Sequence, residues 1–318
     1  MTQDIPLFLG GLGVLYFGAD WLVRGSSRLA ASLGVSPIVV GLTVVSMGTS
    51  APELMISVVA SVGGNPDLAI GNVMGSNLAN VGLVLGISAI VRPLHVSARI
   101  VTREVPVMIV ITALLLPLIW NHHIGRLEGL ALLTMLVAYL AFVLRTAKAE
   151  DPEAPGREEK SPDEASGFSS RTITRALAFI VLGVAGLVLG AFAIRESAVA
   201  LAEAMGISEL VIGVTLVSIG TSLPELATCA VAAWRRQADI AVGNILGSNV
   251  FNIAGVLGVT AIVAPLDINP EVLRFEFPAM MFITVLMVPI VRTRLVIRRR
   301  EGFVLLGAYL ALGAWVLS

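Results

Sequence analysis

Two short segments of this sequence each place one glutamate among hydroxyl-bearing residues and a proline. The first runs from Met47 to Glu53 (MGTSAPE) and the second from Ile219 to Glu225 (IGTSLPE). The copies lie 172 residues apart, and both have strongly apolar flanks. A buried carboxylate is costly unless it is paired or binds a cation. The pattern therefore indicates a cation site built from hard oxygen ligands.

The proline of each segment makes backbone oxygens available beside the glutamate. Pro52 has no N–H, so it cannot hydrogen-bond the carbonyl of Gly48 four residues earlier, and Pro224 stands in the same relation to Gly220. Within a membrane, unpaired carbonyls are tolerated where they line a cavity or bind something. The threonine and the glutamate of each segment are four residues apart, so hydroxyl and carboxylate share one helix face.

A second repeated phrase follows each glutamate segment and carries amides. It reads DLAIGNVMGSNLAN from Asp67 to Asn80 and DIAVGNILGSNVFN from Asp239 to Asn252. Polar residues recur every fourth position in each copy, which predicts one polar stripe along a helix. The stripes are Asn72, Ser76 and Asn80, and Asn244, Ser248 and Asn252. Beside them run Gly71 with Gly75 and Gly243 with Gly247, a spacing that favours close helix packing in membranes.

The composition predicts an integral membrane protein. The chain has 318 residues, of which 56% are hydrophobic and 14% charged, and apolar runs of about 20 residues recur along it. We expect ten spans, at 5–23, 36–62, 68–91, 104–120, 127–147, 174–194, 208–233, 239–264, 276–291 and 302–318. The polar stretch 148–172 is predicted to be a cytoplasmic linker between a first repeat, 1–147, and a second, 173–318.

Several classes of protein and site are disfavoured. No basic patch exists outside short loops, which argues against nucleic-acid binding, and no obligate protein partner is evident. The single cysteine, Cys229, excludes an internal disulfide and a cysteine-based metal site, and its apolar surroundings predict a small buried hydrophobe. The glutamate and amide segments contain no histidine, which disfavours a transition metal. Hard oxygens suit Ca²⁺, and Na⁺ by the same reasoning.

The distribution of basic residues predicts the orientation of the chain. With the N-terminus outside, 18 of the 21 Lys and Arg residues fall on the cytoplasmic side. The prediction is thus N-out and C-out in the plasma membrane, or in the inner membrane of a Gram-negative cell. Five spans per half is an odd number, so the second half must be inverted, as in many secondary transporters. The fold class expected is an all-α polytopic membrane protein of ten transmembrane helices in two inverted five-helix repeats. Discontinuous helices 2, 3, 7 and 8 would form its central ion site.

The two repeated phrases resemble the α-repeats of the sodium/calcium exchanger family, within the cation/calcium antiporter superfamily. The motifs are G-T-S-x-P-E, at Gly48–Glu53 and Gly220–Glu225, and G-N-x-x-G-S-N, at Gly71–Asn77 and Gly243–Asn249. The resemblance implies ion ligands from both halves. They are Thr49, Ser50, Glu53, Ser76 and Asn80, their counterparts Thr221, Ser222, Glu225, Ser248 and Asn252, and the backbone carbonyls of Met47 and Ile219.

The resemblance implies a transporter rather than an enzyme. It would exchange Na⁺ for Ca²⁺ by alternating access, both ions competing for a mid-membrane site around the two glutamates, while spans one and six slide past the rest. No cofactor is expected beyond the transported ions, and the other partner is the lipid bilayer. Asn252 stands where some relatives carry aspartate, which argues against K⁺ co-transport. A Ca²⁺/H⁺ antiporter remains the alternative, ahead of a cation channel.

Overall fold

The computed structural model describes residues 4–147, 170–204, 218–292 and 295–316, and they are almost entirely helical. The helices are α1 (Asp4–Leu33), α2 (Pro37–Thr49), α3 (Ala51–Val62), α4 (Pro66–Val91), α5 (Ile100–Ile119), α6 (Arg126–Ala147), α7 (Ser170–Ala204), α8 (Ser218–Thr221), α9 (Leu223–Trp234), α10 (Ala238–Val263), α11 (Val272–Arg292) and α12 (Arg299–Val316). Four strands of two residues are β1 (Leu94–His95), β2 (His123–Ile124), β3 (Leu266–Asp267) and β4 (Val296–Ile297).

The described helices are those of a membrane protein. Seven are long and apolar enough to cross a bilayer, and α2 with α3 would make an eighth span, bent by 41°. The first part of the seventh predicted span, 208–233, is outside the described residues. Its second part forms α8 and α9. The tenth corresponds to α12, a shorter helix that opens with Arg299, Arg300 and Glu301. Most of the predicted linker, 148–172, is also outside the described residues.

Two helices are longer than the sequence predicted. We expected spans of 5–23 and 174–194, but α1 continues to Leu33 and α7 runs from Ser170 to Ala204. In α1 the polar residue Asp20 is followed one turn later by Arg24, and their side chains pair at 2.9 Å. Charges that pair along a helix face do not end it, and the small residues beyond them bury against neighbouring helices.

The expected discontinuities take two different forms. A break separates α2 from α3 at Ser50 (φ −83°, ψ 4°), and the same break separates α8 from α9 at Ser222 (φ −85°, ψ 2°). In both places a proline opens the next helix, as its missing N–H favours. Helices 2 and 7 are therefore interrupted as predicted.

Helices 3 and 8 were wrongly expected to be discontinuous. Both α4 and α10 are continuous, with a π-helical turn at Asn80–Val84 in α4 and at Phe251–Val256 in α10. The two π-turn segments contain glycine and asparagine but no proline. Every residue in them therefore keeps the backbone N–H that allows the helix to continue. A π turn inserts one extra residue without ending the helix, and such turns are frequent at functional sites.

The short strands join the two halves at two places. Strand β1 pairs antiparallel with β4, and β2 pairs antiparallel with β3. Each pair takes one strand from either side of the linker. The shift of 172 residues moves β1 onto β3, and β2 to within one residue of β4, so the repeat extends to these contacts.

Helices α1 and α7 pack against each other along glycines. A Cβ atom added at Gly18 would lie 2.6 Å from the Leu187 nitrogen, and one at Gly183 would lie 2.5 Å from the Leu22 nitrogen. Only glycine permits such an approach of two backbones. The first helix of each half is therefore paired with its counterpart, outside the core formed by α4 and α10.

Candidate functional site

The two glutamates occupy equivalent positions in the first turns of α3 and α9. Glu53 and Glu225 are each 1% exposed. A helix N-terminus carries partial positive charge, which favours a carboxylate there. Among the described residues, both side-chain oxygens of Glu53 and the Oε2 atom of Glu225 have no hydrogen-bond partner. Buried oxygens of this kind need a hydrogen-bond donor or a cation as a partner. Because the glutamates are acidic, a bound cation would suit them.

The hydroxyls of the first glutamate segment reach across to the second half. Thr49 donates to the Asn244 Oδ1 atom at 3.1 Å and lies 3.4 Å from the Ser248 hydroxyl. Ser50 donates to the Glu225 Oε1 atom at 3.5 Å. The structure thus brings both repeats to one site.

The remaining predicted ligands lie in the same buried region or on the elements that lead to it. Ser76, Thr221, Ser222 and Ser248 are buried, and the Ser222 hydroxyl has no hydrogen-bond partner among the described residues. The side chain of Met47 is exposed, so only its backbone could serve the site, as the prediction stated. Ile219 lies within α8.

The two predicted asparagine ligands are also buried. Asn80 and Asn252 stand at or beside the start of the two π turns and are at most 1% exposed. Each uses its Nδ2 group in a hydrogen bond to an asparagine of the other half, at 3.3 Å for Asn80 and 3.1 Å for Asn252. Each Oδ1 atom is left without a partner among the described residues.

A supporting network around the site was not predicted in full. Asn72 donates to the backbone oxygen of Glu53 at 3.2 Å and to the Ser57 hydroxyl at 3.0 Å. In the other half Asn244 donates to the Cys229 sulfur at 3.3 Å, and that thiol donates to the Ala241 oxygen. Cys229 is buried as expected, but it is a hydrogen-bonding counterpart of Ser57 and not merely a small hydrophobe. The offset of 172 between these positions was the signal that could have shown it.

The glycines beside one stripe permit close packing, as predicted. A Cβ at Gly243 would lie 2.8 Å from the Ile38 oxygen, and one at Gly247 would lie 2.6 Å from the Leu42 oxygen. Helix α10 therefore touches the backbone of α2 directly. Gly71 and Gly75 have no described neighbour within 4 Å of such an atom, and part of the segment that would correspond to α2 is outside the described residues.

A cavity of about 200 Å³ lies between α3, α7, α8 and α9. Its wall is mostly apolar, with Pro52 and Met55 from α3 and Phe192 from α7, and it reaches the ligand candidate Thr221. Arg195 is the one charged residue that lines it. The ligand set contains oxygen only, and the described residues hold no cluster of three or more His, Cys, Asp or Glu. Such a set suits a hard cation.

Known proteins resemble this chain over nearly its whole length. It is 37% identical over 307 residues to the "Putative antiporter CaxA" of Alkalimonas amylolytica, covering 95% of both chains. It is 36% identical over 288 residues to the "Inner membrane protein YrbG" of Escherichia coli, covering 90% of this chain and 88% of that protein. The "Sodium/calcium exchanger MaX1" of Methanosarcina acetivorans is 32% identical, with 98% and 97% covered.

The fold agrees with these relatives. A structure of the sodium-calcium exchanger NCX_Mj, soaked with 10 mM Na⁺ and zero Ca²⁺, matches with a TM-score of 0.83 and 31% identity over 98% of both chains. The family model described as "Sodium/calcium exchanger protein" matches residues 4–145 and 175–317. This family consists of exchangers and is not a family of enzymes. The chain belongs to the sodium/calcium exchanger family.

Proposed function

We propose that this protein is a secondary active antiporter that exchanges Na⁺ for Ca²⁺ across the membrane. Both ions would compete for one site around Glu53 and Glu225, and no cofactor takes part. Two carboxylates carry the charge that neutralises one Ca²⁺, and the same oxygens can be shared among Na⁺ ions. Because the two cations exclude each other, transport of one requires exchange for the other.

One observation carries this proposal: among the described residues, both repeats contribute buried oxygens without partners at the predicted ligand positions. The atoms are the carboxylate oxygens of Glu53, the Glu225 Oε2, the Asn80 and Asn252 Oδ1 and the Ser222 hydroxyl. Unpartnered buried oxygens are costly, and intramembrane carboxylates mark ion pathways. Cations bound at neighbouring positions would give these oxygens partners, and the remaining hydroxyls and the Met47 and Ile219 carbonyls would share in their coordination.

The ten-span inverted architecture is part of the same proposal. Its support is the agreement of local structure between the halves, since broken helices, π turns and strand pairs all recur within one residue of the same 172-residue offset. Basic residues favour N-out and C-out orientation in the plasma membrane, with 148–172 cytoplasmic. In alternating access, α1 and α7 would stay paired through their glycine contact and would slide as one unit past the site.

Counterflow in proteoliposomes tests the function. Vesicles that hold the full-length protein and internal Ca²⁺ are placed in Na⁺ medium, in Na⁺-free medium, or in Na⁺-free medium with a pH gradient. We expect Ca²⁺ release in the first condition alone. Release driven by pH without Na⁺ would establish the Ca²⁺/H⁺ alternative, and flux that needs no counter-ion would establish a channel. Empty liposomes under the same three conditions give the leak.

A further inference from the structure

Two asparagines that are outside the proposed ligand set form hydrogen bonds across the interface of the halves. The Asn80 Nδ2 donates to the Asn249 Oδ1 at 3.3 Å, and the Asn252 Nδ2 donates to the Asn77 Oδ1 at 3.1 Å. Asn249 corresponds to Asn77 under the offset of 172, so the two bonds are equivalent. All four side chains are at most 2% exposed, so these bonds are shielded from bulk water.

The orientations of the Asn77 and Asn249 side-chain amides are fixed by neighbouring atoms that accept hydrogen bonds but cannot donate them. The Asn249 Nδ2 faces the Met108 sulfur at 3.4 Å, and the Asn77 Nδ2 faces the Met280 sulfur at 3.6 Å. Asn77 also donates to the backbone oxygen of Asn249 at 3.3 Å. A thioether and a carbonyl only accept hydrogen bonds, so the nitrogen of each amide must face them. Its oxygen must then face the ligand asparagine.

We propose that Asn77 and Asn249 are positioning residues that hold the amides of Asn252 and Asn80 with their oxygens available to the cation. An Asn80 amide turned the other way would set its oxygen against the Asn249 oxygen and present an N–H group to the ion. We call each such series of three side chains a relay: one is Met108–Asn249–Asn80 and the other is Met280–Asn77–Asn252. Each relay ends in a buried Oδ1 atom that has no partner among the described residues. The inference rests on the proposed ligand role of Asn80 and Asn252.

A double-mutant cycle on the purified full-length protein tests the relay, with Ca²⁺ affinity measured by calorimetry in Na⁺-free buffer. Leucine has nearly the shape of asparagine but accepts no hydrogen bond, so Asn249→Leu should weaken Ca²⁺ binding about three- to tenfold. In an Asn80→Ala background the same substitution should add nothing, because its effect passes through Asn80. In an Asn252→Ala background it should keep its full effect.

The possible outcomes distinguish a failure of the relay from a failure of the proposed ligand role of Asn80. If Asn249→Leu weakened binding equally in the Asn80→Ala and Asn252→Ala backgrounds, it would act by general damage, and the relay would be wrong. If Asn80→Ala alone left Ca²⁺ affinity unchanged, the ligand assignment would fail instead. Should Asn249→Leu not fold, Met108→Leu tests the same relay, with about a twofold loss expected because a sulfur acceptor is weak. Met74→Leu, at another buried methionine, is its control, and equal effects would overturn the relay.

Discussion

The two halves are alike at the site and unlike along the helices that flank it. The repeated positions carry matched, buried carboxylates and amides, and Ser50 of the first half donates to Glu225 of the second. On α1, however, Asp20 is buried and pairs with Arg24 and with Arg235, which directly follows α9. The corresponding position in α7 is Phe192, which is exposed and lines the cavity.

This difference extends to how the two helices pack against the rest of the molecule. Helix α1 packs along α9 and is held there by the Asp20 ion pairs, whereas the cavity separates α7 from α3. Under the offset, Arg24 and Arg235 correspond to Glu196 and Gly63, so the second half cannot form the same contact.

The largest effect should come from the glutamates, and it should be equal in the two halves. Glu53→Gln and Glu225→Gln each remove one of two buried charges, and we expect at least about a hundredfold loss of Ca²⁺ affinity, with exchange abolished. Exchange in proteoliposomes and calorimetry measure this. Full Ca²⁺ transport by either variant would contradict the site.

The matched control for that prediction is a third buried glutamate. Glu104 is 1% exposed, but Arg99 and Arg103 lie 3.1 and 3.5 Å from it, so its charge is already balanced by the protein. Glu104→Gln should lower the melting temperature, because it leaves the arginines with a weaker partner, and retain Ca²⁺ affinity. A loss of affinity like that of Glu53→Gln would mean that burial alone, and not ligation, explains the effect.

The sequence predicted the helix breaks beside the two glutamates better than it predicted the ends of α1 and α7. The GTSxPE motif carries its own break, because proline removes a specific hydrogen bond, and the structure places that break at Ser50 and Ser222. The π turns could not be predicted, since no residue type requires one and tertiary packing selects it. The pairing of Asp20 with Arg235 joins residues more than 200 positions apart, which local spacing cannot show.

An intermediate effect should follow from releasing α1. Asp20→Asn removes the charge that holds Arg24 and Arg235, and both arginines are partly exposed, so solvent screening keeps the effect to about a few-fold in the opening equilibrium. Deuterium exchange of the α1 peptides should become faster, while that of α10 should not change. Glu196→Gln is the control, because its contact with Arg195 is long, at 3.7 Å, and exposed. Unchanged exchange in α1 would show that the ion pairs do not hold the helix.

The smallest effect should come from Cys229, where a thiol in the second half replaces the serine hydroxyl of the first. Cys229 occupies the position of Ser57 and makes the same two contacts, donating to a carbonyl of the next helix and accepting from an asparagine. Cys229→Ser should therefore change Ca²⁺ affinity and melting temperature little. Cys229→Ala leaves the Asn244 amide without its acceptor, which should cost about 1 kcal/mol of unfolding free energy. Because Asn244 accepts from Thr49, the alanine variant should also weaken Ca²⁺ binding, and equal behaviour of Ser and Ala would show that packing alone matters there.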